Sequence, residues 1–309
     1  MESNKQLATS LRRLAKVYET ISSDTKWYNK VDILNNAALI VDLETQPITN
    51  AEEFGRTHKG IGKSLVEMIN DFLNKGGISR LEKIEEINRG KIHVVSMFMK
   101  IYGIGRNQAL QFYDQGCRNF PDLTTKVVLN DNQKVGLKYY WDFKRKIYRR
   151  EIEELKLKLS DVFGPLVDWE IVGSFRRKER VCHDIDILIS SDDSKILDKI
   201  VKELYRLEVL LYTFTQSKSK FMGILNHNPA RRIDIFLCSK KEKAASLLMY
   251  TGPKHFCRYM SFQAKKKGYS LSRNGLKLGE TYVKTETEED IFQILGMDYI
   301  QVEERFKHF

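Results

Sequence analysis

Between Ile171 and Ser190 the chain sets two carboxylates, Asp184 and Asp186, one residue apart at the head of an apolar run. A turn carrying Gly173, Ser174, Arg176, Arg177, Lys178 and Arg180 precedes them. Along a strand successive side chains alternate faces, so the two acids point the same way. Two carboxylates side by side repel each other unless a cation lies between them. An isolated Asp-x-Asp also fits a solvated strand edge. The Gly-Ser turn and the arginines at fixed distance upstream favour the cation. Further on, Arg231-Arg232-Ile233-Asp234-Ile235-Phe236-Leu237 repeats the Ile-Asp-Ile pattern. An acid between isoleucines is expected half-buried, where an unpaired charge is costly. If the second strand neighbours the first, Asp234 completes a cluster of carboxylates. Two Mg2+ ions bridged by them could then hold a triphosphate and polarise an attacking hydroxyl. A salt bridge from Asp234 to a nearby arginine is the competing reading.

These residues need elements to hold them. Leu7, Leu11, Leu14, Ala15 and Tyr18 recur at helical spacing over residues 5–21. A second helix is expected from Trp27 to Asp42, with Ser22-Ser23-Asp24 as capping candidates, and a third from Ser64 to Asn74, ending at Gly76-Gly77. Gly60-Ile61-Gly62 opens that third helix, and Gly103-Ile104-Gly105 repeats the plan before another. Glycines admit close approach, and a helix N-terminus offers free N–H groups to an anion. Two copies in a basic helical region favour helix-hairpin-helix elements that grip phosphates without reading sequence. Ordinary helical connections are the alternative. No strand precedes either copy, so neither is a dinucleotide fingerprint.

Residues 132–163 read as helical and basic, with Lys138, Lys144, Lys146 and Arg149 among Tyr139, Tyr140, Trp141 and Tyr148. This mixture suits nucleic acid, although helix packing explains most of the aromatics equally well. After a break at Gly164-Pro165, strands are expected at Asp168–Val172, His183–Ile189, Val209–Phe214, Phe221–Leu225 and Arg232–Leu237. A helix from Ser194 to Leu207 crosses between two of them. A basic helix (His255 to Lys267) and an acidic one (Thr287 to Leu295) follow. The fold class is therefore α+β, an all-helical part followed by a mixed sheet, with a domain boundary near 145–165.

The chain has 309 residues, 42% of them hydrophobic and 30% charged, the balance of a globular protein. No run reaches the length of a membrane span, and the polar segment from Met1 to Leu14 is not a signal peptide. The formal net charge of +11 favours a polyanionic partner, most simply nucleic acid. Cys117, Cys182, Cys238 and Cys257 lie far apart, which suggests neither a zinc site nor a disulfide framework. Lys265-Lys266-Lys267 reads as a solvated face rather than a localisation signal.

Together these residues resemble DNA polymerase family X, the repair polymerases typified by polymerases beta, lambda and mu and terminal transferase. The resemblance rests on Gly173-Ser174-Phe175-Arg176-Arg177, the Asp184/Asp186 pair, Lys220-Phe221-Met222-Gly223, Arg231 to Asp234, Thr251-Gly252, and Asp290-Ile291-Phe292. It implies four parts: a helical lyase-like domain (1–85), a helical DNA-binding subdomain with the second hairpin (86–148), a catalytic nucleotidyltransferase palm (149–240), and a C-terminal nucleotide-selection subdomain (241–309). No BRCT-like domain is expected in front.

The resemblance further implies a nucleotidyltransferase, a DNA-directed DNA polymerase that fills short gaps in repair. Asp184 and Asp186 would bind both Mg2+ ions, which Mn2+ could replace. Asp234 would bind one and help activate the primer 3′-hydroxyl. Lys146, Gly173, Ser174, Arg177 and His183 would hold the triphosphate. The nucleotide pocket would comprise Met249, Tyr250, Thr251, Gly252, Lys254 and Cys257. Gly60, Gly62, Gly103, Gly105 and Arg258 would contact DNA, and Arg232 the terminal phosphate of the primer. Carbonyls of Arg56, His58 and Ile61, and of Met99, Ile101 and Ile104, would bind Na+ or K+. Gapped or nicked double-stranded DNA and deoxynucleoside triphosphates are the expected partners of a monomer that uses no membrane. Its place would be intracellular: a nucleus, or the cytoplasm or virion of a virus.

Four departures from the family pattern refine this. The lyase lysine of beta-like members falls on Met68, and a thioether cannot form an imine, so no efficient 5′-deoxyribose phosphate lyase activity is expected. His183 replaces a glycine of beta-like members, as in mu and terminal transferase, and suggests tolerance of imperfect primer ends. The loop Asn226 to Ala230 is too short for the long loop of terminal transferase, so synthesis should depend on a template. Cys257 replaces a minor-groove asparagine, and Ser261 a template-contacting arginine, which predicts low fidelity. An RNA-tailing or tRNA-end enzyme of the same palm fold and a non-catalytic DNA-binding protein are the alternatives.

Overall fold

The computed structural model of the chain describes residues 2–21, 25–164 and 167–306. It forms two compact units, residues 1–140 and 141–309.

The first unit is helical. In α1 (Glu2–Ile21) the expected stripe of Leu7, Leu11, Leu14, Ala15 and Tyr18 is buried against α2 (Thr25–Asp42). The capping candidates Ser22, Ser23 and Asp24 lie outside the described residues. Asn50 caps α3 (Ala51–Thr57) by accepting from the Glu53 amide. α4 (Lys63–Lys75) stops at Gly76, whose φ of +74° is left-handed. α5 (Ser79–Phe98) was not expected from the sequence, because its buried residues Leu81, Val94, Val95 and Phe98 are too sparse to mark a face. α6 (Arg106–Asp114), α7 (Phe120–Thr125) and α8 (Asp131–Lys138) complete the unit.

The two Gly-Ile-Gly turns share one local structure. Gly60 and Gly103 have φ of +104° and +84°, values open to glycine. The Ile61 amide donates to the His58 carbonyl, and the Ile104 amide to the Ile101 carbonyl, both at 3.1 Å. Gly62 and Gly105 then start α4 and α6. The apolar residues of the unit form two separate cores, one over residues 7–81 and one over 94–140.

The division between the units falls inside α9 (Tyr140–Lys144), just ahead of the expected 145–165. The reason is packing: Phe143 lies edge-on to Phe214, ring centroids 6.4 Å apart, and Asp142 accepts from the Ala230 amide at 3.3 Å. β1 (Ile147–Tyr148) interrupts the expected helical run, and α10 (Arg149–Phe163) resumes it. Of the predicted break, Gly164 follows α10 and Pro165 lies outside the described residues.

After α10 the chain makes β2 (Asp168–Ile171), the short α11 (Gly173–Arg176), β3 (Val181–Cys182) and β4 (Ile185–Ser190). Then come α12 (Ile196–Arg206), β5 (Leu210–Ser217), β6 (Lys220–Leu225) and β7 (Arg231–Cys238). The sheet order is β2-β4-β7-β6-β5, with β4 and β7 parallel and the other neighbours antiparallel. β1 and β3 pair separately.

Strand alternation gives this sheet two unlike faces. Ile185, Ile187, Ile189, Ile233 and Ile235 pack under α10 and α12 in one core with Ile152, Leu159 and Ile200. Each such buried side chain contributes roughly 1.5–3 kcal/mol. The opposite face carries Asp186 and Asp234, then Leu188, Phe236 and Cys238.

α13 (Lys243–Thr251) and α14 (Lys254–Lys266) follow, then an antiparallel sheet of β8 (Tyr269–Ser272), β9 (Gly275–Leu278) and β10 (Thr281–Val283). α15 (Glu288–Ile294) begins at Thr287, which forms a capping box with Asp290. No described helix is long and apolar enough to cross a membrane.

Candidate active site

β4 and β7 lie side by side, and their register sets Asp186 directly opposite Asp234. Asp184 stands in the bend just before β4. The condition set by the sequence, that the two Ile-Asp-Ile strands be neighbours, is therefore met. The acids share one ledge at the end of two parallel strands. Asp234 is only 6% exposed, while Asp184 and Asp186 are half-buried.

The ledge is not a closed cage. Among the described residues no three acid, histidine or cysteine side chains converge to hold a metal. Arg232 lies between two of the acids, with Nη2 3.4 Å from Asp184 Oδ2 and 3.3 Å from Asp234 Oδ2. The competing reading of Asp234, a salt bridge to a nearby arginine, is thus also realised, and the two readings are compatible. Asp234 Oδ1 is buried and has no hydrogen-bond partner. An orphaned carboxylate oxygen among other hard oxygen donors fits a divalent cation such as Mg2+.

Charge crowding shows in the proton affinities. Burial, then Asp184 and Asp234, push the Asp186 carboxyl up to about 7, against the pull of Arg232 and Arg177. Burial also raises Asp234, which Arg232 partly offsets and Asp184 reinforces. A raised folded-state pKa means that stability falls as pH rises from the unfolded value of 3.8 through about 7. Below that window both states are protonated and the penalty vanishes. Three pKa units correspond to about 4 kcal/mol, part of which belongs to the neighbouring acids. D186N should therefore stabilise the metal-free protein at pH 8 by about 2–4 kcal/mol, and by almost nothing near pH 4. Denaturant titrations in chelating buffer at the two pH values check this.

The turn above the ledge is held close to it. Val172 donates its amide to the Asp186 carbonyl at 2.8 Å. Gly173 follows with φ of +61°, and a Cβ built there would sit 2.5 Å from Asp186 Oδ2. Any side chain at this position would be strained by the left-handed backbone and would push the Asp186 carboxylate aside. Arg149, at the start of α10, braces the turn from behind. Its guanidinium lies 4.1 Å over the Phe175 ring, and Nη1 donates to the Phe175 carbonyl at 2.8 Å.

Of the predicted triphosphate ligands, Gly173, Ser174 and Arg177 come together on this turn beside the acids. Lys146 and His183 flank the paired strands β1 and β3 and are exposed. Arg177 is only 12% exposed. Its Nε and Nη2 donate to Glu179, and its Nη1 to the Thr251 carbonyl.

The predicted nucleotide pocket lies at the junction of α13 and α14. The Tyr250 ring stacks on Phe236, with centroids 4.1 Å apart and planes 20° apart, so the pocket is seated on the acids' own sheet face. Arg273 Nη1 donates to the Tyr250 hydroxyl at 2.9 Å. Thr251 and Gly252 are buried, Met249 is half-buried, and Lys254 and Arg258 are exposed. The Cys257 thiol donates to the Met249 carbonyl at 3.3 Å, and burial pushes its pKa up to about 11. Ser261 is turned inward, donating to the Leu271 carbonyl at 3.4 Å.

The hairpin residues belong to the other unit. The carbonyls of His58 and Ile101 each already accept one amide, and the His58 ring contacts Glu44 at 3.2 Å. Met68 packs its thioether against the apolar core of residues 7–81.

Sequence reasoning placed Arg176 in the turn without a role and did not single out Glu288, Arg305 or Arg273. Arg176 donates to Thr251 Oγ1 at 2.9 Å and to Glu288 Oε2 at 2.8 Å. Glu288 Oε1 in turn accepts from the fully buried Arg305 at 2.8 Å. The separation of these residues along the chain hides them from any local pattern. Arg273 had a weak signal, since Asn274-Gly275 marks a hairpin.

Comparison with known proteins follows the same order along the chain. The fingers domain of DNA polymerase lambda matches residues 96–144, the DNA polymerase beta palm residues 146–240, and the DNA polymerase beta thumb residues 246–306. DNA polymerase lambda of Rattus norvegicus is 30% identical over 332 aligned positions, covering 98% of this chain and 56% of that protein. DNA polymerase lambda of Arabidopsis thaliana is 26% identical, covering 98% of this chain and 62% of that protein. DNA-directed DNA/RNA polymerase mu of Homo sapiens is 25% identical, covering 87% of this chain and 63% of that protein. The chain thus spans somewhat over half the length of these relatives. With fingers, palm and thumb matched in succession, and the palm's carboxylates in register on adjacent strands, the chain belongs to DNA polymerase family X.

Proposed function

We infer that the chain is a template-dependent DNA polymerase that fills short gaps in duplex DNA. The observation that carries this is the ledge itself. Asp186 stands opposite Asp234, Asp184 is adjacent, and Gly173 of the turn lies against the Asp186 carboxylate. Divalent cations held by Asp184, Asp186 and Asp234 would neutralise the phosphates and acidify the attacking hydroxyl. Mg2+ in a pair is the proposed occupant, and Mn2+ a substitute. Asp234, whose Oδ1 has no hydrogen-bond partner, would receive the primer 3′-hydroxyl proton. Ser174, Arg177, Lys146 and His183 hold the triphosphate, and the Gly173 backbone lets it approach. Arg232 leaves its two carboxylates to meet the primer's terminal phosphate.

The four-part division of the sequence is kept in this reading, with the separate apolar cores in its support. The lyase-like and fingers parts grip DNA phosphates through Gly60, Gly62, Gly103 and Gly105, with Na+ or K+ at the flanking carbonyls. The protein acts as a monomer, with no membrane partner, on gapped or nicked DNA. This substrate places it with a genome, in a nucleus or in the cytoplasm or virion of a DNA virus.

Cys257 and Ser261, both bonded to carbonyls of their own subdomain, have little left to offer the nascent base pair. Low fidelity follows. Met68 supports the absence of lyase chemistry, since its side chain is core packing with no amine. Borohydride treatment with a 5′-deoxyribose phosphate substrate should trap no covalent adduct above background on a denaturing gel.

The assay for the whole reading is single-nucleotide gap filling, with and without a 5′-phosphate, using each deoxynucleotide in turn. Extension of the gap with frequent mispairs is expected. Equal extension of a single strand lacking a template would overturn the template requirement.

A further inference from the structure

We propose that Glu179 competes with the nucleotide's phosphates for Arg177 and so sets the affinity of this site for its nucleotide. The proposal rests on the reading of Arg177 as a triphosphate ligand. A guanidinium recognises an anion best through the fork of Nε and one Nη. In Arg177 that fork is taken: Nε and Nη2 both donate to Glu179 Oε1, at 2.8 and 2.6 Å. The remaining Nη1 serves the Thr251 carbonyl. The only described anion on the phosphate-binding edge of Arg177 is therefore the protein's own carboxylate.

The backbone places it there. Lys178 adopts φ of +58°, a left-handed value unusual for a residue with a side chain. Its amide donates to the Phe175 carbonyl at 3.0 Å. The next amide, that of Glu179, donates to the Ser174 carbonyl at 3.1 Å. Glu179 is thus tied to the same turn that presents Ser174, and only its side-chain torsions can take the carboxylate away. Arg177 is 12% exposed and Glu179 33%, so the arginine is the fixed partner and the acid the displaceable one.

A triphosphate arriving at Ser174 and Arg177 would meet this carboxylate at hydrogen-bond range of the same nitrogens. Like charges there repel, and one anion must leave. A neutral amide in place of the acid would release the fork without emptying its volume. The gain expected from removing a charge-assisted competitor is about 5- to 20-fold in nucleotide affinity, the exposure of Glu179 holding it below that of a fully buried pair.

The test uses the full chain on gapped DNA with a dideoxy-terminated primer, so that no bond forms, and dATP opposite thymine. Dissociation constants are measured for wild type, E179Q, R177A and the double variant, each checked by thermal melting. E179Q should bind dATP about 5- to 20-fold more tightly, and R177A more weakly. In the R177A background E179Q should change little. Weaker or unchanged binding by E179Q, with R177A impaired, would show that Glu179 orients Arg177 instead and would overturn the proposal alone. Unimpaired binding by R177A would overturn the assignment of Arg177 to the triphosphate, and the proposal with it.

Discussion

Replacing Asp234 by alanine should lower single-nucleotide gap filling by about 10³- to 10⁴-fold, the scale of a lost proton acceptor at a reacting hydroxyl. Binding of gapped DNA should stay within about two-fold of wild type, because phosphate contacts supply most of such affinity and this carboxylate makes none. The structure explains why the two readouts separate. Asp234 is 6% exposed, its Oδ1 has no hydrogen bond, and burial raises its pKa. Such a group does not stabilise the fold. D234N keeps the shape and an oxygen for Arg232, so it should melt at or above the wild-type temperature while remaining inactive. Single-turnover incorporation, a DNA-binding titration and a thermal melt check all three statements. Incorporation surviving in D234A would remove Asp234 from the chemistry.

Much of this site was legible because its parts are local in sequence and periodic. The alternation of Ile185, Ile187 and Ile189 with Asp186 fixes which face is core and which is acid. The same holds for Ile233 and Ile235 around Asp234. The turn from Gly173 to Arg177 is a contiguous motif, and the paired Gly-Ile-Gly turns are repeats. What stayed hidden depends on contacts between segments far apart. Nothing in the local sequence states that Arg232 reaches Asp184, or that Arg176 reaches Thr251 and Glu288. The stacking of Tyr250 on Phe236 joins the α13 end to a strand of the palm sheet. The three strands from Tyr269 to Val283 escaped notice because polar residues dilute their alternation, leaving only the Asn274-Gly275 turn as a cue.

Loss of Glu288 should strongly destabilise the second unit. Its carboxylate is 3% exposed and holds two guanidiniums, Arg176 Nη2 at 2.8 Å and Arg305 Nη1 at 2.8 Å. Arg305 is wholly buried between the rings of Phe256, Phe292 and Tyr299, and its remaining donors reach the Ile300 carbonyl and the Tyr299 hydroxyl. Removing one member of a buried ion network leaves the other charge uncompensated, at about 3–5 kcal/mol. E288A should therefore lower the melting temperature by roughly 10 °C. It should also weaken nucleotide binding, because Arg176 belongs to the turn that presents Ser174 and Arg177 and reaches Thr251 from the same guanidinium. The double variant E288A/R305M separates the two effects. Methionine replaces the buried charge with an apolar chain that suits the three rings, so much of the stability should return. The nucleotide affinity should not return, because Arg176 still lacks its carboxylate. If the double variant recovers both, Glu288 acts on the site only through the fold. If E288A melts like wild type, the network contributes nothing and the packing around Arg305 alone holds this end of the chain.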